Sequence, residues 1–222
     1  MKIRLVILVF LFLLGRETQS ADALPNIVLI VADDLGYADV LFHPNPAAGV
    51  STPHLADLAK RSLVCRQGYV SGNVCSPTRA GLMTGRYQQR LGLYTGGEAG
   101  SGLPMEETIF PQYLKPAGYV TGQFGKWHLG PDLAWSPALR GFDEVFGFLG
   151  RGAHDYFKLD DPEDPIYRGT EVVSEKGYLT DRLGEETAAF ITPFSALLLS
   201  PFAPIREIQR DFSNSQDRST SA

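Results

Sequence analysis

The 222-residue chain is 44% hydrophobic and 20% charged, a balance that suits a globular protein and excludes wholesale disorder. Its 20 basic and 25 acidic residues leave a formal charge of −5, so no general field draws nucleic acid or an anionic membrane surface to it. An anionic ligand has to be held by a local basic pocket.

Residues 1–20 read as a secretory signal peptide. Lys2 and Arg4 give a positive start, Leu5 to Leu14 is an unbroken apolar run, and small residues follow at Ser20, Ala21 and Ala23. The run falls short of the roughly 20 apolar residues that span a bilayer, which leaves a membrane anchor as the alternative and a secreted or periplasmic protein as the expectation. No other segment is apolar for long enough to form a stable membrane span. Cys65 and Cys75 alone do not make a disulfide framework.

Asn26 to Val31 is short, apolar and β-branched, the pattern of a strand buried on both faces, and Asp33-Asp34 follows at its carboxyl end. Thr52-Pro53 predicts a helix start, with Leu55, Leu58 and Ala59 as its apolar stripe to about Arg61. Leu63 to Val70 is a second strand candidate. Ser76-Pro77 opens a short helix ending near Gly85, and Tyr94 to Pro104 is a glycine-rich loop. Thr108 is placed to cap a helix through Leu114, and Tyr119 to Phe124 predicts a strand leading into Gly125-Lys126-Trp127-His128. Residues 131–177 read mostly as loop with short extended pieces, before a helix near Thr180–Ile191. Strands alternating with helices predict an α/β fold with a largely parallel sheet. The expected organisation is a signal peptide (1–20), a catalytic-domain part (21–191) and a divergent, disordered tail (192–222), where Asp211 to Ala222 is too polar to build a core.

In open α/β sheets, ligands sit beyond the carboxyl ends of the strands, where Asp33-Asp34, Cys75 to Arg79 and Lys126 to His128 all fall in this reading. Two adjacent carboxylates suit a hard divalent cation, although a solvated acid pair is equally compatible. Cys75 precedes a helix start, where orphan N–H groups favour an anion, and Arg79 returns one turn later with a planar charged fork. A buried thiol beside a surface arginine is the plainer alternative.

Cys75-Ser76-Pro77-Thr78-Arg79, continued by Ala80 to Arg86, resembles the C-x-P-x-R signature of the formylglycine-dependent sulfatases. Pro25 to Gly36 looks like that family's opening strand and acid pair, Gly125-Lys126-Trp127-His128-Leu129-Gly130 like its second signature, and Gly141-Phe142-Asp143 with Phe146-Gly147 like a further recurrent piece. The resemblance is confined to the N-terminal part of such enzymes. It implies an alkaline-phosphatase-like fold, incomplete at the C-terminus, and sulfuric ester hydrolysis on sulfated carbohydrate or aryl sulfates. It also implies that a formylglycine-generating maturation enzyme oxidises Cys75 to Cα-formylglycine. Asp33, Asp34 and the modified Cys75 would hold one divalent ion (Ca2+), Arg79 would steady the hydrated aldehyde, and Lys126 and His128 would bind sulfate. His154, in Gly152 to Tyr156, is a candidate for substrate selection; that stretch is similar to sulfatases acting on N-acetylgalactosamine 6-sulfate.

The chain departs from the family after Phe190-Ile191-Thr192-Pro193. No histidine follows His154, and the expected Asn-Ala-Pro-His-like block and second metal pair are absent. The ending therefore reads as a truncated or frame-shifted product, expected to be poorly stable and weak in catalysis. The other readings are a non-catalytic secreted fragment and a phosphodiesterase of the same superfold; Cys75, where the latter carry Thr or Ser, argues against it.

Overall fold

Val145-Phe146-Gly147-Phe148-Leu149 is apolar at every position except its glycine, and such a run is stable only when both faces are covered. In a computed structural model, which describes residues 24–96, 102–150 and 152–197, this run lies in an inner strand of a four-stranded sheet. The strands are β1 (Gly122–Lys126), β2 (Glu144–Phe148), β3 (Ile166–Arg168) and β4 (Glu171–Val173), in the order β1-β2-β3-β4. Val145 and Leu149 join an apolar cluster with Ile109, Trp127 and Leu129. Phe146 and Phe148 join a second with Leu159, Ile166 and Leu179. The sequence reading of 131–177 as mostly loop with short extended pieces covers β2, β3 and β4, which are three- to five-residue strands.

The sheet is mixed. β1 and β2 run parallel, whereas β2–β3 and β3–β4 are antiparallel. The connection between β1 and β2 is long enough for a crossover and carries two 3₁₀ turns, Leu133–Trp135 and Pro137–Arg140. Only Gly169 and Thr170 separate β3 from β4, and Gly169 takes a left-handed φ of 62°, so that pair closes as a hairpin. Gly125 and Gly147 are register partners. A Cβ on Gly147 would lie 2.1 Å from the Gly125 carbonyl oxygen, so the strands meet here only because the side chain is missing.

The chain divides at Val64/Cys65 into two compact units. In the first, α1 (Pro53–Lys60) starts after Thr52 with proline in its first turn, as the sequence predicts. The Thr52 hydroxyl accepts from the Leu41 N–H at 2.8 Å and makes no cap bond to the helix. The strand expected at residues 26–31 is not formed, and Ile27 to Val31 stay exposed. A strand needs a hydrogen-bonded neighbour, and none pairs with this run among the described residues. For the same reason 63–70, exposed throughout, is not a strand.

In the second unit, α2 (Cys75–Thr84) ends at Gly85 with φ 66°, the left-handed residue that closes many helices. α3 (Phe110–Leu114) starts after Ile109 rather than Thr108 and passes into a 3₁₀ turn, Lys115–Ala117, closed by Gly118. α4 (Leu179–Leu197) continues past the 191/192 point where a divergent tail was expected, with Pro193 inside it. It lies on the sheet: its Phe190 ring is 5.4 Å from that of Phe124, and its Leu183 methyl would touch a Cβ on Gly125.

Arg168 fixes α4 to β3 through a bidentate pair with Glu186, at 2.9 and 2.7 Å, while its guanidinium lies 4.8 Å from the Phe146 ring centre. Arg182 adds contacts to Glu175 and Glu186, both at 3.1 Å. The Arg168 hydrogen bonds hold the Glu186 carboxyl below its usual range despite burial. Burial pushes Glu144 the other way, against the opposing pull of Arg168. No helix of the described residues is long and apolar enough to cross a membrane. The signal-peptide reading of residues 1–20, and the tail from 198 onward, lie outside the described residues.

Candidate functional site

Cys75 is the first residue of α2, one position further into the helix than the sequence suggested, and carries a half-buried free thiol. Val74 precedes it in extended conformation and supplies no side-chain cap. The first-turn N–H groups are therefore left for another acceptor, and Pro77 has no N–H to satisfy. The preceding loop is pressed on the helix. The Thr78 hydroxyl donates to the Gly72 carbonyl at 3.2 Å, and a Cβ on Gly72 would come within 2.5 Å of the Thr78 nitrogen. Buried Gln88 fixes the same loop from the other side, its amide donating to the Ser71 carbonyl at 2.6 Å. Gly96, from the glycine-rich loop, flanks the thiol: a Cβ there would sit 3.8 Å from Cys75 Sγ.

Arg79 turns back one helical turn later. Its Nη1 donates to the main-chain carbonyl of Lys126 at 2.5 Å, joining the first signature block to the second. Along that second block burial alternates. Lys126 and His128 are partly exposed, while Trp127 and Leu129 are each about 1% exposed within the core. Trp127 is locked in place by its indole N–H, which donates to the Trp135 carbonyl at 2.7 Å, and by an edge-on contact with Phe142. The main chain continues the β1–β2 ladder, with the His128 N–H on the Leu149 carbonyl at 2.7 Å. Among the described residues, the non-glycine residues with positive φ are Asp34 at 56° and His128 at 57°. Such conformations are uncommon for side-chain-bearing residues and gather at functional sites.

Asp33 and Asp34 lie in the first unit, both exposed. Their carboxylates are the hard oxygen donors calcium takes. However, no group of three or more His, Cys, Asp or Glu assembles among the described residues. The donor types fit a hard cation, but the described residues do not complete its shell.

His154 differs from its expectation as a substrate-selecting group. It is 7% exposed, with Nδ1 2.7 Å from the Asp155 carbonyl, Nε2 2.8 Å from the Asp164 carbonyl, and its ring against Phe148. Both ring nitrogens are engaged in holding their own loop. The residue of that loop which reaches the site is Gly152, where a Cβ would lie 3.9 Å from His128 Cε1.

Two further polar residues hold the surrounding loops: Arg140, which the sequence did not single out, and Asp143, which belongs to the Gly141-Phe142-Asp143 piece. Buried Arg140 donates to the carbonyls of Leu103, Pro104 and Glu107 at 3.1, 3.2 and 2.8 Å, gathering the end of the glycine-rich loop and the turn after it, and burial lowers its pKa. Asp143 accepts from the Thr121 N–H and hydroxyl, both at 2.9 Å, and pairs with Lys115 at 2.7 Å. Burial alone would raise its carboxyl pKa, but these partners outweigh burial and hold it below the ordinary range.

Comparison with known proteins agrees with this arrangement. The sequence profile of the Sulfatase family matches residues 25–200. Human N-acetylgalactosamine-6-sulfatase is 36% identical over 169 residues, 72% of this chain and 32% of that relative. Human arylsulfatase A is 44% identical over 128 residues, 55% of this chain and 25% of the other. The solved structure titled "Crystal structure of Ps i-CgsB" superposes with a TM-score of 0.69 at 37% identity, covering 76% of this chain and 41% of that one. Such structural neighbours are sulfatases of the alkaline-phosphatase-like fold, of which this chain holds part. The chain spans about a third of the length of the N-acetylgalactosamine-6-sulfatases it matches. From the matched profile and these likenesses, the chain belongs to the sulfatase family.

Proposed function

We propose that the protein hydrolyses sulfate esters of carbohydrates, with Cys75, oxidised to formylglycine by a maturation enzyme, as the nucleophilic position. The observation that carries this reading is the Arg79–Lys126 hydrogen bond, which brings the helix that starts at Cys75 against the block containing Lys126 and His128. Relatives named for N-acetylgalactosamine 6-sulfate, and a second Ps i-CgsB structure whose title names a bound neocarrahexaose, support a sulfated carbohydrate as the substrate class. The signal-peptide pattern supports export, to the periplasm or outside the cell.

The site's own residues account for anion binding. The start of α2 presents unsatisfied N–H groups and the positive end of the helix dipole to a sulfate group at position 75. Arg79, anchored on the Lys126 carbonyl, holds a permanent charge on the same side of the helix start. Lys126 would supply a second cation, and His128, whose backbone has the left-handed φ of 57°, would bind sulfate beside it and steady the second hydroxyl. Because these groups are fixed before reaction, they stabilise developing charge on sulfate oxygen without reorganising. Formylglycine formed at Cys75 would supply, when hydrated, two hydroxyls on one carbon in place of one thiol, which is the chemistry needed both to attack sulfur and to release sulfate at the cost of one water per ester. Asp33 and Asp34 are proposed as two of the ligands of a calcium ion, which would neutralise sulfate charge.

The test is to co-produce the protein with a formylglycine-generating enzyme, weigh the Cys75 peptide by mass spectrometry, and measure sulfate release from an aryl sulfate and a sulfated oligosaccharide. Conversion of the thiol with turnover supports the reading. An intact thiol and no sulfate release overturn it.

A further inference from the structure

Tyr156, Phe157 and Tyr178 form an exposed aromatic cluster outside the groups used above. Tyr178 stacks on Tyr156 with ring centroids 5.7 Å apart and an interplanar angle of 29°, and lies 5.2 Å from Phe157 at 34°. Tyr178 is 39% exposed, against 55% for Tyr156 and 78% for Phe157, so the central ring is sheltered by two outer ones. Single exposed aromatics need no explanation, but two outer rings inclined by about 30° to a shared central one gather aromatic faces and two phenol oxygens in one surface patch.

The loop beneath them is fixed. Asp155 Oδ1 accepts from the N–H groups of Phe157 and Lys158 at 2.7 and 3.0 Å, and the Leu179 N–H donates to the Tyr156 carbonyl at 2.8 Å. His154 pins the loop from inside, and Leu159 is buried as its apolar anchor. A loop backbone held in this way loses little freedom when a ligand lands on its rings, which favours binding.

Position and charge narrow the ligand. The loop leaves the Cys75 site at Gly152, beside His128, and Phe157 follows five residues later, at most about 18 Å along the chain. That span is a few sugar rings. Asp155, Asp160, Asp161 and Glu163 surround the rings in sequence, and the Lys158 ammonium is committed to Asp161 at 2.7 Å. An anionic sugar unit finds little attraction there. The C–H face of an uncharged pyranose suits it, lying on the electron-rich ring faces while its hydroxyls reach the two phenol oxygens.

We propose that Tyr156, Phe157 and Tyr178 form a carbohydrate-stacking platform that takes an uncharged sugar unit of a glycan whose sulfated unit lies at the Cys75 site. The second half of this assignment rests on the sulfate-ester reading; the platform itself does not. Titration calorimetry of the full chain with a neutral galactose-based hexasaccharide tests it without turnover or oxidation of Cys75, so a failure of sulfate release leaves the result standing. Phe157→Ala is expected to weaken binding roughly three- to tenfold with an unchanged melting temperature, and Phe157→Trp to restore it. The platform is overturned if the wild-type chain does not bind the hexasaccharide, or if Phe157→Ala binds equally well. It is also overturned if the rings are covered instead by a second copy, seen as self-association that Phe157→Ala abolishes in sedimentation experiments.

Discussion

The Arg79 guanidinium donates to the main-chain carbonyl of Lys126, a residue 47 positions away, at 2.5 Å. This bond sets where the charge of Arg79 can lie relative to the start of α2. Arg79→Lys keeps the charge but loses the planar fork and its second edge. Sulfate release is expected to fall about 10²-fold, with folding stability lowered by only about 1 kcal/mol, as read from initial rates and urea midpoints.

Cys75→Ser offers one hydroxyl where the oxidised residue offers two. Alcohol release is expected to stop after about one turnover, because the bond to sulfur has no internal route for breaking. A burst experiment with a chromogenic aryl sulfate, followed by intact-mass measurement of the trapped adduct, checks this.

Calcium is expected to raise the melting temperature of the wild-type chain, with a rise that keeps growing with the logarithm of free calcium once the site is filled, as any ligand of the folded state does. Asp34→Asn should abolish that rise while changing the calcium-free melting temperature little, since asparagine tolerates the left-handed conformation at 56° but carries no charge. Differential scanning calorimetry with and without chelator reads both effects.

Glu186 and Glu144 should respond to pH in opposite senses. The Arg168 hydrogen bonds depress the Glu186 pKa, so its contribution is present above the unfolded glutamate pKa of about 4.3 and is lost as pH falls through the lower folded value. Glu186→Gln should therefore destabilise the protein at neutral pH and match wild type in strong acid. Burial raises the Glu144 pKa, so its ionisation opposes folding as pH rises past the glutamate range. Glu144→Gln should stabilise at neutral pH and converge with wild type in acid, as read from denaturation midpoints across pH.

Gly147→Ala brings a Cβ within 2.1 Å of the Gly125 carbonyl, a main-chain atom that cannot swing aside. A loss of about 1–3 kcal/mol is expected from urea unfolding, the range seen for overpacked cores.

Local signals explain which features the sequence disclosed. α2 was legible because Ser76-Pro77 and Gly85 are start and stop residues that act within a single turn. Lys126 and His128 stood out through their neighbours, and these neighbours are core: Trp127 lies between them and Leu129 follows. β2 was legible only as an unbounded short extended piece, because Gly147, which a strand pattern penalises, is demanded by a partner twenty-two residues earlier at Gly125. The strand expected at residues 26–31 failed for the opposite reason, since its composition is right but pairing is a property of neighbours, not of the run itself. His154 drew attention as a polar residue in a long loop, yet its ring nitrogens serve carbonyls at 155 and 164 that no periodicity announces.

The alternating burial from Lys126 to Leu129 also limits how this segment can be edited. Adding or removing a single residue there would turn the tryptophan to water and bury the ammonium, exchanging both faces at once. Engineered changes in length are therefore better placed in the turns on either side, and grafting this pair onto another scaffold means transplanting the indole and its Trp135 acceptor with it.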